Sequence, residues 1–390
     1  MLRDGDGRVT QIELFYDLVY VFAVTQLAHL LYEHRTLDGA VQTLVLLAMV
    51  WQVWVYTTWM TNYLDPNRAG TRLALVVLML GSLAMSAALP FAFENRGVLV
   101  AVLYVAMQVG RSIYIIWALR GEALQQTFWR ACAWSCIAAV PMLLGSVAPD
   151  HVREGVWALA VLIETVGAAV GFATPGLGRS RTTDWTIDGG HFAERCQAFV
   201  LIALGESIVV TGVTLTGLLG SHSDFERYAA FAVAFVGSVA LWWVYFDAAA
   251  EDSSRVIASS SDPGRLGRNG FHWVHPAIVG GIIVAAAADE VLLHDPGHHP
   301  DAAEAWLVLG GVALFLAGHA VFKAVVWRVA SWPRIAAVIV LLALVPLAPH
   351  IPAMATGIVG VLIVISVAIA DRHVRHAGSS GAASRRTTRR

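Results

Sequence analysis

Apolar runs of about twenty residues recur along the whole chain, with shorter polar segments between them. A helix of this length can cross roughly 30 Å of hydrocarbon. The runs are continuously apolar rather than alternating, which excludes a membrane β-barrel. The pattern predicts twelve spans: 13–32, 40–60, 72–92, 97–119, 129–148, 154–173, 195–217, 228–248, 272–293, 303–327, 334–349 and 351–371. Prolines in the short eleventh span predict a break near 349–352, where the chain can turn back.

The two halves of the chain resemble each other. The stretch Gly81–Pro90 aligns without gaps on Gly281–Glu290, and Trp54-Val-Tyr56 returns as Trp243-Val-Tyr245. An even number of spans in each half gives both halves the same orientation in the membrane. The predicted fold is therefore an all-α integral membrane protein, with about twelve transmembrane helices arranged as two parallel six-helix repeats.

The predicted organisation has five segments. An N-terminal segment (1–12) precedes the first repeat (13–173), a linker (174–194) leads to the second repeat (195–371), and the tail (372–390) is rich in arginine and expected to be disordered.

Composition supports the membrane assignment, because 57% of the residues are hydrophobic and only 14% are charged. Ordinary soluble domains contain about 25% charged residues. Twenty arginines fall in segments on the side of the N-terminus and four on the opposite side, with Arg111 and Lys323 within spans. The positive-inside rule then places both termini in the cytoplasm.

Several motifs resemble those of one protein family. They are Glu13-Leu-Phe-Tyr-Asp-Leu-Val-Tyr-Val-Phe-Ala-Val-Thr-Gln26, Met79-x5-Met85-x4-Pro90, Tyr104-x6-Arg111 and Glu194-Arg-x3-Phe-x5-Gly205-Glu-Ser207. The chain is similar along almost its whole length to the bacterial low temperature requirement A family. The resemblance implies a multi-pass membrane protein and no particular biochemical activity.

Charged residues inside the predicted spans are the first candidates for function, since burying a charge in a membrane costs about 2.5–3.5 kcal/mol on insertion scales. Glu13 and Asp17 share one face of the first helix, and Arg111 lies at a similar depth in the fourth. We expect Asp17 to pair with Arg111, with Glu13 nearby. Asp247 is the expected partner of Lys323. These pairs could serve transport or merely pin helices together.

Glu206 lies near the middle of the seventh span, without a basic residue within one turn. The repeat alignment places Gly205-Glu-Ser207 against Val24-Thr-Gln26, so Glu206, Ser207, Thr25 and Gln26 are expected to form a polar patch along a substrate or proton path. A protonated carboxyl that only joins helices is the alternative. Glu164, in the sixth span, is a second candidate for the same path.

Other features favour structural roles. The histidines of His294–His299 lack a regular ligand spacing, so no metal site is expected. Tryptophans near span ends, including Trp51, Trp54 and Trp59, are expected to anchor the chain at the membrane interface.

The sequence contains no catalytic or nucleotide-binding motif, and no cofactor is expected. The favoured function is a secondary transporter or an ion- or proton-coupled permease of unknown substrate. A cation channel, a membrane sensor and a lipid-embedded enzyme are the alternatives. The expected partners are the lipid bilayer and a small solute or ion, with a homo-oligomer left open and no nucleic acid.

Overall fold

The computed structural model is built almost entirely of helix. It describes the backbone of residues 2–3, 8–185, 187–218, 220 and 224–387, and the side chains of these residues except 224, 247–255, 258 and 372–387. Among the described residues there is no β-strand, and extended pairing is limited to two isolated bridges, Leu2 with Leu64 and Thr174 with Gly178.

Twelve helical segments follow one another along the described chain. They are α1 (Gln11–Glu33), α2 (Leu37–Tyr63), α3 (Ala69–Ala88), α4 (Gly97–Ala118), α5 (Gln125–Ser146), α6 (Asp150–Ala169), α7 (Gly189–Leu218), α8 (Asp224–Ala258), α9 (Pro263–His294), α10 (Ala302–Trp327), α11 (Trp332–His350) and α12 (Ala353–Thr387). Short 3₁₀ turns cover Leu89–Phe91 and Thr182–Asp184. Each predicted span overlaps one of these segments, so the apolar runs located every helix.

Eleven of the segments within the described residues are long and apolar enough to cross a membrane. The segment α6 is not among them, since Arg153, Glu154 and Glu164 interrupt its apolar character. The prediction of an all-α membrane protein with eleven to twelve spans is confirmed. The sixth span and the arrangement as two parallel repeats stay predictions.

Polar residues mark the points where helices begin. Thr10 and Glu13 form a capping box at the start of α1, in which the Thr10 backbone N–H donates to Glu13 Oε2 at 2.9 Å. Asp301 and Glu304 form a second one at the start of α10. At the predicted break, α11 ends in a 3₁₀ stretch at His350 and α12 begins at Ala353, as the prolines there predict.

Two segments contain π-helix, in which hydrogen bonds join residues five apart. In α9 it covers Gly267–Val274, and in α10 it covers Trp306–Gly310. π-Helical turns are rare and often lie at functional sites. The lengths of the apolar runs did not predict them.

The helices form two compact units. Unit 1 comprises Met1–Glu206 and Ser253–Pro276, and unit 2 comprises Ser207–Asp252 and Ala277–Arg390. In unit 1, α4 packs against α5, α5 against α6, and α1 against α2 and α3. In unit 2, α10 packs against α11, and α11 against α12. The predicted boundaries of the repeats stay predictions.

The interior of unit 1 contains an aromatic cluster. The rings of Trp51 and Trp54 lie 5.4 and 4.7 Å from that of Phe199, and both tryptophans are buried. The expectation that they anchor the chain at the interface is therefore wrong. Helix packing buries them, because both lie on the face of α2 that contacts α7.

The last helix is longer than the predicted span. The backbone of α12 continues to Thr387, past the predicted end of the last span at 371. The predicted disorder of the tail stays a prediction.

Candidate functional site

A buried ionic network lies at the start of α1 in unit 1. Arg195 of α7 binds Asp17 through two nitrogens, with Nη2 at 2.6 Å from Oδ1 and Nε at 3.0 Å from Oδ2. Its Nη1 donates to Glu13 Oε1 at 3.1 Å. The indole of Trp54 also donates to Asp17, at 2.7 Å. Glu13, Asp17 and Arg195 are all fully buried.

His191 and Arg3 complete this network. Asn62 donates to His191 Nδ1 at 3.0 Å, and its amide orientation is set by the backbone N–H of Asp188, which donates to Asn62 Oδ1 at 2.9 Å. His191 Nε2 lies 2.7 Å from Glu13 Oε1 and 2.8 Å from Arg3 Nη1. Arg3 Nη1 also lies 3.3 Å from Glu13. The network therefore joins two carboxylates, two guanidinium groups and one imidazole.

The predicted pair of Asp17 with Arg111 is wrong. Asp17 pairs with Arg195, while Arg111 contacts only neutral groups in the described structure: Gln108 Oε1 at 2.5 Å, Val53 O at 3.3 Å and Thr57 Oγ1 at 3.5 Å. The reason is that α7 begins at Gly189 rather than at 195. Arg195 thus lies within the helix, on the face that packs against α1.

A second polar group, the Glu164 array, consists of Glu164, Tyr104, Gln108 and Arg111. The hydroxyl of Tyr104 donates to Glu164 Oε2, and Gln108 Nε2 lies 3.0 and 2.9 Å from the two carboxylate oxygens. The oxygen of the Gln108 amide accepts from Arg111. One amide therefore stands between a fully buried carboxyl and a buried guanidinium. Among the described residues, no cation contacts Glu164 within ion-pair distance.

Arg111 also lines a cavity in unit 1, called the unit 1 cavity below. It is walled by α2, α4, α5, α6, α9 and the segments around Phe172 and Trp185, and its empty space of about 670 Å³ includes open solvent. Six aromatic side chains form most of its apolar wall: Tyr56, Trp59, Tyr63, Phe128, Phe172 and Trp185.

Glu206 has a simpler environment. It is buried, and the hydroxyl of Thr25 donates to its Oε1, so the predicted proximity of these two residues is confirmed. Gln26 is half-buried. In unit 2, Ser207 Oγ lies 3.3 Å from Ser238 Oγ and 3.2 Å from Asp289 Oδ2. A solvent path to Glu206 stays a prediction.

Unit 2 has its own buried ion pair. Arg334 binds Asp371 through both terminal nitrogens, at 3.0 and 2.6 Å, and its Nε donates to His319 Nδ1 at 2.9 Å. Lys323 lies 3.8 Å from Asp371. The side chain of Asp247 is outside the described residues, so its predicted pairing with Lys323 stays a prediction.

The histidine loop has a structural role in unit 2. His298 Nδ1 faces the Asp295 carbonyl, and its Nε2 lies 2.8 Å from Glu304. Partial burial disfavours the charged ring, but these hydrogen bonds outweigh it and raise the pKa of His298 above its ordinary value. In the part of the chain that is described, no group of three or more potential ligands could hold a metal ion.

The spacing of charged residues in the sequence indicates the partner of Asp17, although the hydropathy pattern does not. Glu13 and Asp17 are four residues apart, and so are His191 and Arg195. Each pair occupies one helix face, which makes them complementary. Arg334, the first residue of the predicted eleventh span, is likewise fully buried against Asp371.

The fold and its buried polar groups define a polytopic α-helical membrane protein. The family model for bacterial low temperature requirement A protein (LtrA) matches residues 8–369. The chain is also 35% identical over 334 residues, covering 85% of this chain and 81% of the relative, to "Uncharacterized protein RA0937" of Rhizobium meliloti (strain 1021). No solved structure matches the chain. The protein therefore belongs to the LtrA family.

Proposed function

We propose that the protein is a proton-coupled secondary transporter of a small solute or ion in the bacterial inner membrane. The observation that supports this most is the Glu164 array. A buried carboxyl group must either hold a proton or be compensated by nearby charge and hydrogen bonds. Glu164 can exist in either state. Its direct contacts are neutral, which allows the protonated form, and Arg111, which could compensate the ionised form, is linked to it through the amide of Gln108.

The groups that face Glu164 come from three helices. Tyr104, Gln108 and Arg111 project from α4, Tyr56 from α2 and Ser135 from α5. Arg111 is the one cation among them. The charge of ionised Glu164 offsets that of Arg111 across Gln108. Once Glu164 takes a proton, the positive charge of Arg111 is left for a solute in the unit 1 cavity.

This arrangement couples two events through one set of contacts. Protonation of Glu164 and occupation of the cavity near Arg111 favour each other, because each supplies the charge balance that the other needs. Such mutual dependence is a coupling free energy and is reciprocal. Glu206 is a second carboxyl without a contacting cation among the described residues, and its partner Thr25 also tolerates a neutral acid.

Two further elements belong to the proposal. The two halves form parallel six-helix repeats, and both termini are cytoplasmic. Reporter fusions at residues 185 and 260 should then read cytoplasmic, and a fusion at 297 should read external. The reverse pattern would overturn the orientation.

Reconstituted vesicles test the transport function. Wild-type protein under an imposed pH gradient should accumulate at least one solute from a panel of ions and small organic molecules. Glu164→Gln retains the side-chain shape but cannot ionise, so its uptake should lose its dependence on the pH gradient.

Glu154→Gln is the matched control, since it makes the same change on the same helix, where Glu154 accepts a hydrogen bond from Gln42 at 2.6 Å. It should transport like the wild type. No accumulation by wild-type protein would refute the transporter. Movement that only follows the electrical gradient and ignores the pH gradient would identify a channel instead.

A further inference from the structure

The unit 1 cavity contains positive charge without matching negative charge. Arg111 and Arg268 both line it, and no aspartate or glutamate is among the described residues of its wall. Arg268 donates to the carbonyl oxygens of Ala168 and Ala169 at 3.1 and 3.4 Å, and its Nε bonds Asn269. Neither arginine has a carboxylate within 4 Å in the described structure.

Arg111 is buried and Arg268 is half-buried, whereas two fully buried arginines elsewhere in the protein bind carboxylates. Arg195 binds Asp17 at 2.6 Å, and Arg334 binds Asp371 at 2.6 Å. Leaving a buried charge without its partner costs about 3–5 kcal/mol in protein interiors. The cost is reduced at Arg111, since Glu164 lies one amide away, but the cavity side of the guanidinium still faces no anion. A negatively charged ligand would remove this cost.

The backbone around Arg268 is specialised. Arg268 and His272 lie in the π-helical stretch of α9, and both line the cavity. His272 Nε2 is 3.0 Å from Gln52 Oε1, and its backbone carbonyl accepts from Trp51 at 2.8 Å. These bonds fix the histidine and hold the π-helical stretch in place. Arg268 therefore extends from a fixed backbone.

The rest of the wall suits the apolar body of an organic anion. Aromatic rings dominate it, and Tyr56 lies 5.3 Å from both the Arg111 guanidinium and the His272 ring. The indole Nε1 of Trp185 is buried and has no hydrogen-bond acceptor among the described residues. An acceptor in the cavity would satisfy it. Guanidinium groups bind planar or tetrahedral oxyanions through paired hydrogen bonds.

We propose that the unit 1 cavity binds an organic anion that has one oxyanion head group and an apolar or aromatic body, with Arg111 and Arg268 binding the head group. The inference rests on the proposed transport function for its biological meaning, since it names the class of solute carried. Binding itself can be measured without transport.

Calorimetric titration of purified protein in an uncharged detergent tests the site. The probe is 2-naphthalenesulfonate, which stays ionised at every pH used, and 2-naphthalenemethanol is its uncharged counterpart. We expect the sulfonate to bind at least tenfold more tightly than the alcohol. Arg111→Gln and Arg268→Gln should each remove most of this preference and leave alcohol binding unchanged.

Two further variants control for folding. Arg72→Gln makes the same change at an exposed arginine of α3 and should bind like the wild type. Arg111→Lys keeps the charge but cannot form the paired hydrogen bonds, so it should weaken sulfonate binding less than Arg111→Gln does and keep a preference for the sulfonate over the alcohol. Equal affinity of wild-type protein for the two probes would overturn the proposal, and so would sulfonate binding that neither glutamine substitution weakens.

The source of the anion is tested in nanodiscs. Competition of phosphatidylglycerol, but not phosphatidylcholine, with the sulfonate would identify an anionic lipid as the occupant, and no competition would favour a free solute. The proposed transport function and the proposed binding site can be refuted independently of each other. Arginine-dependent binding without any flux would refute the transporter and leave the site, whereas proton-driven flux with arginine-independent binding would refute the site alone.

Discussion

The ionic network offers a stringent prediction, because structure and hydropathy assign different partners to Asp17. Arg195→Gln removes a bidentate ion pair and leaves Asp17 buried, with the indole of Trp54 as its remaining donor. Removing one partner of a buried pair costs about 3–5 kcal/mol, so the free energy of unfolding should fall by that amount. Glu13 is less affected, since His191 and Arg3 still contact it.

The double variant Asp17→Asn with Arg195→Gln should be more stable than the sum of the single effects predicts. Neutralising both members removes the uncompensated charge, and contacting residues commonly show interaction energies of about 0.5–3 kcal/mol. We expect a coupling of about 1.5 kcal/mol or more, given the two direct hydrogen bonds. Reversible unfolding in mixed micelles, followed by tryptophan fluorescence, measures the four free energies.

The matched control pairs Asp17→Asn with Arg111→Gln. Since the structure joins Arg111 to Gln108 rather than to Asp17, these two changes should be additive within about 0.5 kcal/mol. If the effects of Asp17→Asn and Arg195→Gln were additive while those of Asp17→Asn and Arg111→Gln were coupled, the observed pairing would be refuted. The sequence-based prediction that Asp17 pairs with Arg111 would then be restored.

Two further predictions concern unit 2. Because the pKa of His298 is raised in the folded state, its bond to Glu304 contributes its full stability below the ordinary histidine pKa. That contribution is lost as the pH rises through the raised pKa, so the melting temperature of the wild type should fall over this pH range. His298→Gln should make this fall smaller. Gly281→Ala should lower the free energy of unfolding by about 1–3 kcal/mol, since a Cβ at this position would lie 2.5 Å from the backbone nitrogen of Phe315. Gly212→Ala is the control and should have little effect, because the space around Gly212 is open. Equal melting temperatures of the two variants would contradict the close packing at Gly281.

Sequence patterns were sufficient to locate the helices but not to pair their polar residues. Hydrocarbon thickness fixes the length of an apolar run, so the twelve predicted spans each overlap an observed segment. Asp17 and Arg195 are 178 residues apart, and no local pattern reports contacts at that separation. The predicted seventh span also begins only at residue 195, whereas the observed helix begins at Gly189.

Local chemistry predicted part of the candidate site. The proximity of Thr25 and Glu206 was predicted by aligning the two halves of the chain, but their hydrogen bond and the one between Ser207 and Asp289 were not. Glu164 was identified as a mid-span carboxyl, but its link to Arg111 depends on the rotamer of Gln108. Two residues of the cavity wall, Arg268 and His272, lie in a π-helical stretch that the apolar runs did not predict.

Proton movement driven by a solute tests the central claim most directly, because coupling must operate in both directions. In vesicles that contain a pH-sensitive dye, adding 2-naphthalenesulfonate outside should acidify the interior with wild-type protein and with Glu154→Gln. Vesicles with Glu164→Gln and vesicles without protein should show no change. If wild-type protein moves no protons with this or any other solute of the panel, or if Glu164→Gln acidifies the interior as fast as wild type, proton coupling at Glu164 is contradicted.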